Sequence, residues 1–298
     1  MSSFISSQVI KTAMKIAISG ANGYIAGKLI QELKIAGNEI VTIGRDALYN
    51  IPALTERLSG TDAIIHLAGS SILCRWTKAK KEEILKSRTE TTRNIVRVIN
   101  QLPSDKRPNT FISASAIGIY SPDLAHTEES TRFSNDFVGE VVKKWEQSSD
   151  ELNPTIRKVI FRIGLILGKE AKTIQQLLPV FKMGVGGRIG SGKQPFPFVH
   201  IDDVTRAFLW AIQNRKSGET YNLVAPQQIT NAQFTKELSD MLHRPAFFTV
   251  PEFALKIVYG EAASLLLQSP IVIPQRLLDA GFKFGYPDVQ SSLKEIIS

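Results

Sequence analysis

Apolar residues along this chain fall into two textures. Some form short unbroken runs rich in branched side chains, and others recur every three or four positions. Lys15–Ser19 (KIAIS), Glu39–Ile43 (EIVTI), Ala63–Ala68 (AIIHLA), Asn109–Ala114 (NTFISA) and Lys158–Ile166 (KVIFRIGLI) belong to the first kind and predict strands. Ile25–Ala36, Thr77–Asn100 and about Asp136–Ser148 belong to the second and predict helices, the first of them ended by Gly37. Strands alternating with helices predict an α/β fold, a Rossmann-like doubly wound parallel sheet whose strands are apolar throughout because both faces are covered. The texture changes near Met183, where a loop rich in Gly and Pro runs to Phe198. The expected organisation is therefore an extension or tag over residues 1–13 and a nucleotide-binding domain over 14–182. A smaller C-terminal substrate lobe follows over 183–298, with later strands and helices returning to the sheet and a small terminal domain from about 248.

The 298 residues are 43% hydrophobic and 21% charged, enough to bury a sizeable core. No run approaches the roughly 18 apolar residues of a membrane-spanning helix, so a soluble protein with no membrane partner is expected. The single cysteine, Cys74, allows no intrachain disulfide, which fits a reducing compartment; a cytoplasmic location is expected. The four histidines are scattered without ligand spacing, so no metal is expected. Net charge is +8, and the segment 75–107 alone holds ten basic against four acidic residues. Such a patch suits nucleic acid, a membrane surface or a phosphorylated ligand, or is simply a solvated helix face. Nucleic acid ranks low because Trp76 is the one aromatic in the stretch.

The sharpest motif is Gly20-Ala21-Asn22-Gly23-Tyr24-Ile25-Ala26, between the first strand and the first helix. Gly20 suits a tight turn. Gly23 lets backbone N–H groups approach a pyrophosphate at the positive end of the helix, and Ala26 permits close helix–strand packing. A dinucleotide is the expected cofactor. An NAD site ends the second strand with an acidic residue that holds the ribose hydroxyls, whereas here Gly44 and then Arg45 follow. A guanidinium suits a 2′-phosphate, so NADP(H) is preferred over NAD(H), with Arg45 as a plain loop cation the competing reading.

With His66-Leu67-Ala68-Gly69 and Val199-His200-Ile201-Asp202-Asp203-Val204, this glycine loop resembles the short-chain dehydrogenase/reductase superfamily, in its extended, epimerase-like branch. Arg75-Trp76-Thr77, Lys81, Ile84, Ser87-Arg88 and Thr92, with the tail Pro274–Pro287, resemble an atypical subfamily carrying a small C-terminal domain. The resemblance extends from Lys15 to about Ile297. It implies that Leu67, Ala68, Gly69, Ser113 and Ala114 line the cofactor and that Ser115 takes the place of a catalytic serine polarising a substrate oxygen. It also implies a Tyr-x-x-x-Lys pair on the following helix, but Phe137/Val141 or Val138/Val142 stand there, all apolar. Asp136 and Glu140 are substitute bases to consider, Tyr120 reads as structural, and His200 reads as packing. Arg88 replaces the usual asparagine and shares a helix face with Lys81, Leu85 and Thr92, where it could hold an anion. Arg188 and Lys193, in the glycine-rich loop, are the candidate substrate cations. The expected partner is a small molecule, anionic or a nucleotide sugar, and a homodimer stays open. Two functions stand: an NADP(H)-binding, epimerase-like oxidoreductase of atypical mechanism, or a non-catalytic NADP(H)-sensing regulatory or interaction protein.

Overall fold

The computed structural model describes residues 13–122, 124–214 and 218–298; apart from Ala13, the expected N-terminal extension lies outside them. Six strands form the central sheet in the order Glu39–Ile43, Lys15–Ser19, Ala63–His66, Thr110–Ala116, Arg157–Ile163, Thr220–Leu223. Every neighbouring pair is parallel. The chain builds first on one side of Lys15–Ser19, then returns past it and continues on the other. Strand order thus reverses between Lys15–Ser19 and Ala63–His66, and open sheets of this type hold ligands in the crevice beyond the carboxyl ends at that reversal.

Both faces are covered. Ile16 and Ile18 point to the side packed by Leu29 of helix Tyr24–Ile35 and Phe208 of helix Ile201–Gln213. Ala17 and Ile64 point to the other side, against Ile95 and Ile99 of helix Lys78–Gln101. This double burial explains the unbroken apolar runs. Helix Tyr24–Ile35 stops at Gly37, whose φ of +82° lets Gly37 N–H donate to Lys34 O and Asn38 N–H to Leu33 O. Thr77 caps the long helix by accepting from Lys80 N–H, and Asp136 caps Phe137–Gln147 by accepting from Gly139 N–H at 2.8 Å.

Two expected strands come out differently. The run 158–166 is not one strand: it leaves the sheet at Gly164, and Leu165–Leu167 pairs instead with Phe198–His200. A Cβ at Gly164 would sit 2.7 Å from Pro197 O, so the bare Cα is what admits the crossing segment. The run 63–68 is shorter than expected, ending at His66, after which Leu67 and Ala68 leave the ladder. Two short helices, Arg45–Tyr49 and Ile51–Leu58, also went unforeseen.

Ile201–Gln213 and Thr220–Leu223 return to the sheet as a covering helix and an edge strand. Beyond them, Phe234 and Leu238 of helix Asn231–Met241 pack with Leu293 and Ile296 of helix Val289–Ile297. Thr230 and Gln233 form the reciprocal capping box their spacing predicts. Fully buried Asp203 accepts from the N–H groups of Gly285 and Tyr286 at 2.7 and 2.9 Å, tying the tail to the covering helix.

Candidate functional site

The crevice at the reversal is floored by the glycine turn. Gly20 has φ +72°, and a Cβ there would fall 2.8 Å from Leu67 O, so only glycine fits. Its carbonyl accepts from Gly23 N–H at 2.8 Å. Gly23 caps the helix with extended backbone and no side-chain hydrogen bond, and no acidic residue stands in the first turn. The opening N–H groups of a helix have no intrahelical acceptor, so this end presents bare donors and a positive dipole beside exposed Asn22 and Gly23. Ala26 is fully buried beneath. Ala21, Tyr24 and Ile25 are half-buried, and the Tyr24 hydroxyl is turned inward towards Gly168. Burial first, and the nearby Glu170 carboxylate second, push that phenol up to about 12. The backbone of Tyr24, rather than its ring, is what this turn offers a ligand.

Arg45 opens the helix that follows the second strand, exposed and without an ion pair among the described residues. Across the crevice, His66 is fully buried: Ser19 Oγ lies 2.6 Å from its Nδ1 and Thr91 Oγ1 lies 3.4 Å from its Nε2. Burial first, and nearby Arg88 second, pull the imidazole down to about 3, so it is neutral. Ser19 Oγ also accepts from Leu67 N–H at 3.1 Å, which fixes where Leu67, Ala68 and exposed Gly69 emerge. Ser113 and Ala114 are buried within the fourth strand, Ser113 opposite His66.

Ser115 is buried too, at 4% exposure. Its hydroxyl donates to Glu146 Oε1 at 2.6 Å, and Arg162 donates to both oxygens of that carboxylate, Nε to Oε1 at 2.8 Å and Nη2 to Oε2 at 2.7 Å. Arg162 also donates to the Tyr120 hydroxyl at 2.7 Å, which donates in turn to Asn222 Oδ1 at 2.8 Å. Asn222 continues to Ile273 O in the C-terminal region. This network was not foreseen. Its signal was Arg162, a charge following the apolar run Val159–Phe161 within a strand, which demands a counter-ion. The expectation that Ser115 polarises a substrate oxygen needs a hydroxyl free to donate. With Glu146 holding its proton, Ser115 can only accept. Burial pushes the Tyr120 phenol up, and its proton too is committed.

The helix Phe137–Gln147 packs Val138 and Val142 with Ile119, Tyr120, Val224 and Val272 and meets Trp76 through Phe137, ring centroids 4.9 Å apart. Lys81 lies over the Trp76 and Phe137 rings and pairs with Glu261 at 2.6 Å, so it does not join Arg88 at one anion site. Arg88 lies against Gly69 and over the Trp145 ring, donating to Ile84 O and Ser70 O at 3.1 and 3.0 Å. The substitute bases are occupied elsewhere: Asp136 caps its helix, and Glu140 pairs with Lys144 in solvent. His200 caps helix Ile201–Gln213 at 1% exposure, beside Tyr286 and Glu295, a packing role. Arg188 and Lys193 are not brought together. Arg188 lines a groove of about 490 Å³ with Lys236, Arg244, Phe247 and Phe248, and Lys193 is exposed outside its lining.

An open parallel sheet with a bare, glycine-lined helix end at its reversal defines a Rossmann-like protein. Residues 16–224 match the model of the NAD dependent epimerase/dehydratase family, and residues 250–296 match a domain of unknown function, DUF1731. The chain belongs to the NAD-dependent epimerase/dehydratase family. It is 34% identical over 296 residues to the epimerase family protein SDR39U1 of Bos taurus, covering 96% of this chain and 100% of that protein. It is 31% identical over 304 residues to the chloroplastic SDR39U1 homolog of Arabidopsis thaliana, covering 96% of this chain and 88% of that protein. The crystal structure of human SDR39U1 (isoform 2) with NADPH superposes with a TM-score of 0.87 at 31% identity, covering 95% of this chain and 99% of that one. Among the described residues, no helix is long and apolar enough to cross a membrane.

Proposed function

We propose that this protein is an NADP(H)-dependent, epimerase-like oxidoreductase acting on a small molecule in a reducing, cytoplasm-like compartment. The observation that carries this is the bare helix end at Gly23, together with Arg45 after the second strand, which makes no ion pair among the described residues, in a chain similar to a protein crystallised with NADPH. The residues present fit the cofactor. The N–H groups opening helix Tyr24–Ile35 receive the pyrophosphate, and Gly23, which carries no side chain, lets it approach. Arg45 takes the 2′-phosphate in place of the carboxylate that would repel it. Leu67, Ala68 and Gly69 form the opposite wall, set in place by the Ser19–His66 hydrogen bond. Bound there, NADP(H) supplies or takes up hydride. The protein's own acid–base group is not a tyrosine–lysine pair, because Phe137, Val138, Val141 and Val142 occupy the facing helix.

A second reading, a non-catalytic NADP(H) sensor, is favoured by one observation. The hydroxyls of Ser115 and Tyr120 both donate inside the protein rather than into the crevice. The test has two parts. NADPH should raise the melting temperature more than NADH does, and equal responses would remove the NADP(H) assignment. NADPH oxidation is then screened across carbonyl and sugar-nucleotide substrates. Turnover supports the oxidoreductase, and its absence across a broad screen favours the sensor.

A further inference from the structure

Arg88 and Trp145 both carry N–H groups that meet no acceptor among the described residues. Arg88 is half-buried, yet it makes no ion pair among the described residues, and only two of its five N–H groups meet an acceptor there, both backbone carbonyls. Burial lowers the guanidinium to about 10, which still leaves it charged at neutral pH. Trp145 is 7% exposed, and its indole Nε1–H is fully buried with no hydrogen-bond partner among the described residues. The two groups are stacked, Arg88 Cζ lying 5.2 Å from the Trp145 ring centroid. Arg162, which is buried, shows the contrast: it is held bidentately by Glu146. A half-buried charge without a counter-ion and a buried donor without an acceptor are each costly, and two side by side mark a place suited to an acceptor from outside the chain. The place adjoins the crevice. Arg88 abuts exposed Gly69, where a Cβ would sit 3.2 Å from Cζ, and Ser87 and Arg88 both hold Ser70 of the same loop.

We propose that Arg88 and Trp145 receive an oxyanion carried by the substrate, a carboxylate or phosphate, beside Gly69. This deepens the oxidoreductase reading by naming the substrate class as anionic. Lys81 does not share the task, since Glu261 neutralises it. The bare Cα of Gly69 lets the guanidinium lie directly against the loop that walls the cofactor. Trp145 stands one helical turn beyond Val141, so the helix that carries no acid–base pair still contributes a donor.

The test uses NADPH-loaded protein, in which the helix end and Arg45 are already covered, at constant ionic strength set with chloride. Inorganic phosphate and malonate are titrated by calorimetry and melting temperature. Wild type is expected to bind one of them, and Arg88→Met and Trp145→Phe are each expected to weaken that binding at least tenfold. Affinity for NADPH should change less than threefold. Trp145→Phe keeps the ring and removes only the N–H, so it serves even if Arg88→Met folds poorly. No response of loaded wild type to either anion overturns the proposal, as does an unchanged response in both variants. A tenfold loss of NADPH affinity in Arg88→Met also overturns it, by placing the cofactor's own phosphate at Arg88. The NADPH titration is read separately. If the nucleotide itself fails to bind, the cofactor reading falls, and the anion titration proceeds on an Arg45→Ala background.

Discussion

The Ser115 hydroxyl donates to the Glu146 carboxylate at 2.6 Å, across 31 residues of sequence. Glu146 and Arg162 are 14% and 8% exposed, so their ion pair is buried and each needs the other. Removing one partner of a buried pair leaves the other charge uncompensated and costs about 3–5 kcal/mol, whereas losing one neutral donor costs about 1 kcal/mol. Glu146→Gln is therefore expected to destabilise severely and Ser115→Ala mildly, measured by urea denaturation. A near-neutral Glu146→Gln would show that Arg162 finds its counter-charge elsewhere.

Arg45→Ala should lower affinity for NADPH roughly 10–100-fold, the equivalent of about 1.5–3 kcal/mol for a charge-assisted contact. Affinity for NADH should be unchanged. Titrations of the two nucleotides against wild type and variant decide it. A parallel loss for both would move Arg45 from the 2′-phosphate to some shared contact.

Gly20→Ala places a methyl 2.8 Å from Leu67 O and forces a side chain into the left-handed region at φ +72°. The backbone conformation alone costs about 1–3 kcal/mol, before the collision is counted. The expected result is a lower melting temperature together with lost nucleotide binding, because the turn and the Leu67–Gly69 wall are displaced together. A variant of wild-type stability and affinity would contradict this packing.

His66 gives a pH prediction with a definite sign. Its folded pKa, about 3, lies below the ordinary value of 6.5, so the unfolded chain binds the proton more readily. The stability that neutral His66 confers is whole above pH 6.5 and is lost as pH falls towards 3, at up to about 1.4 kcal/mol per pH unit. Denaturation midpoints at pH 7.5, 6 and 5 should fall accordingly in wild type, and less in His66→Gln. Identical slopes would assign the acid sensitivity to other groups.

What the sequence disclosed follows the range of the interactions involved. The glycine turn, the Gly37 stop and the Thr230–Gln233 box are made by neighbours within a few positions, so their residue types announce them. The division of 158–166 is different. Gly164 bends the chain because Pro197 crosses it, and nothing in KVIFRIGLI reveals a segment 33 residues away. Glu146 reads as one more acidic residue near a helix end, and only folding sets it beside Ser115 and Arg162. Arg88 stood out by replacing an asparagine, but the partnerless indole of Trp145 beneath it is a tertiary fact. The apolar stripe of the Phe137–Gln147 helix, by contrast, was plain from periodicity alone.

The outermost strand, Thr220–Leu223, leaves the ribosome long after its partner Arg157–Ile163. Until it arrives, the growing chain exposes a row of unpaired amide and carbonyl groups along an apolar strand, the kind of edge that recruits other molecules. Synthesis halted near residue 182 would therefore yield a sticky fragment rather than a working half.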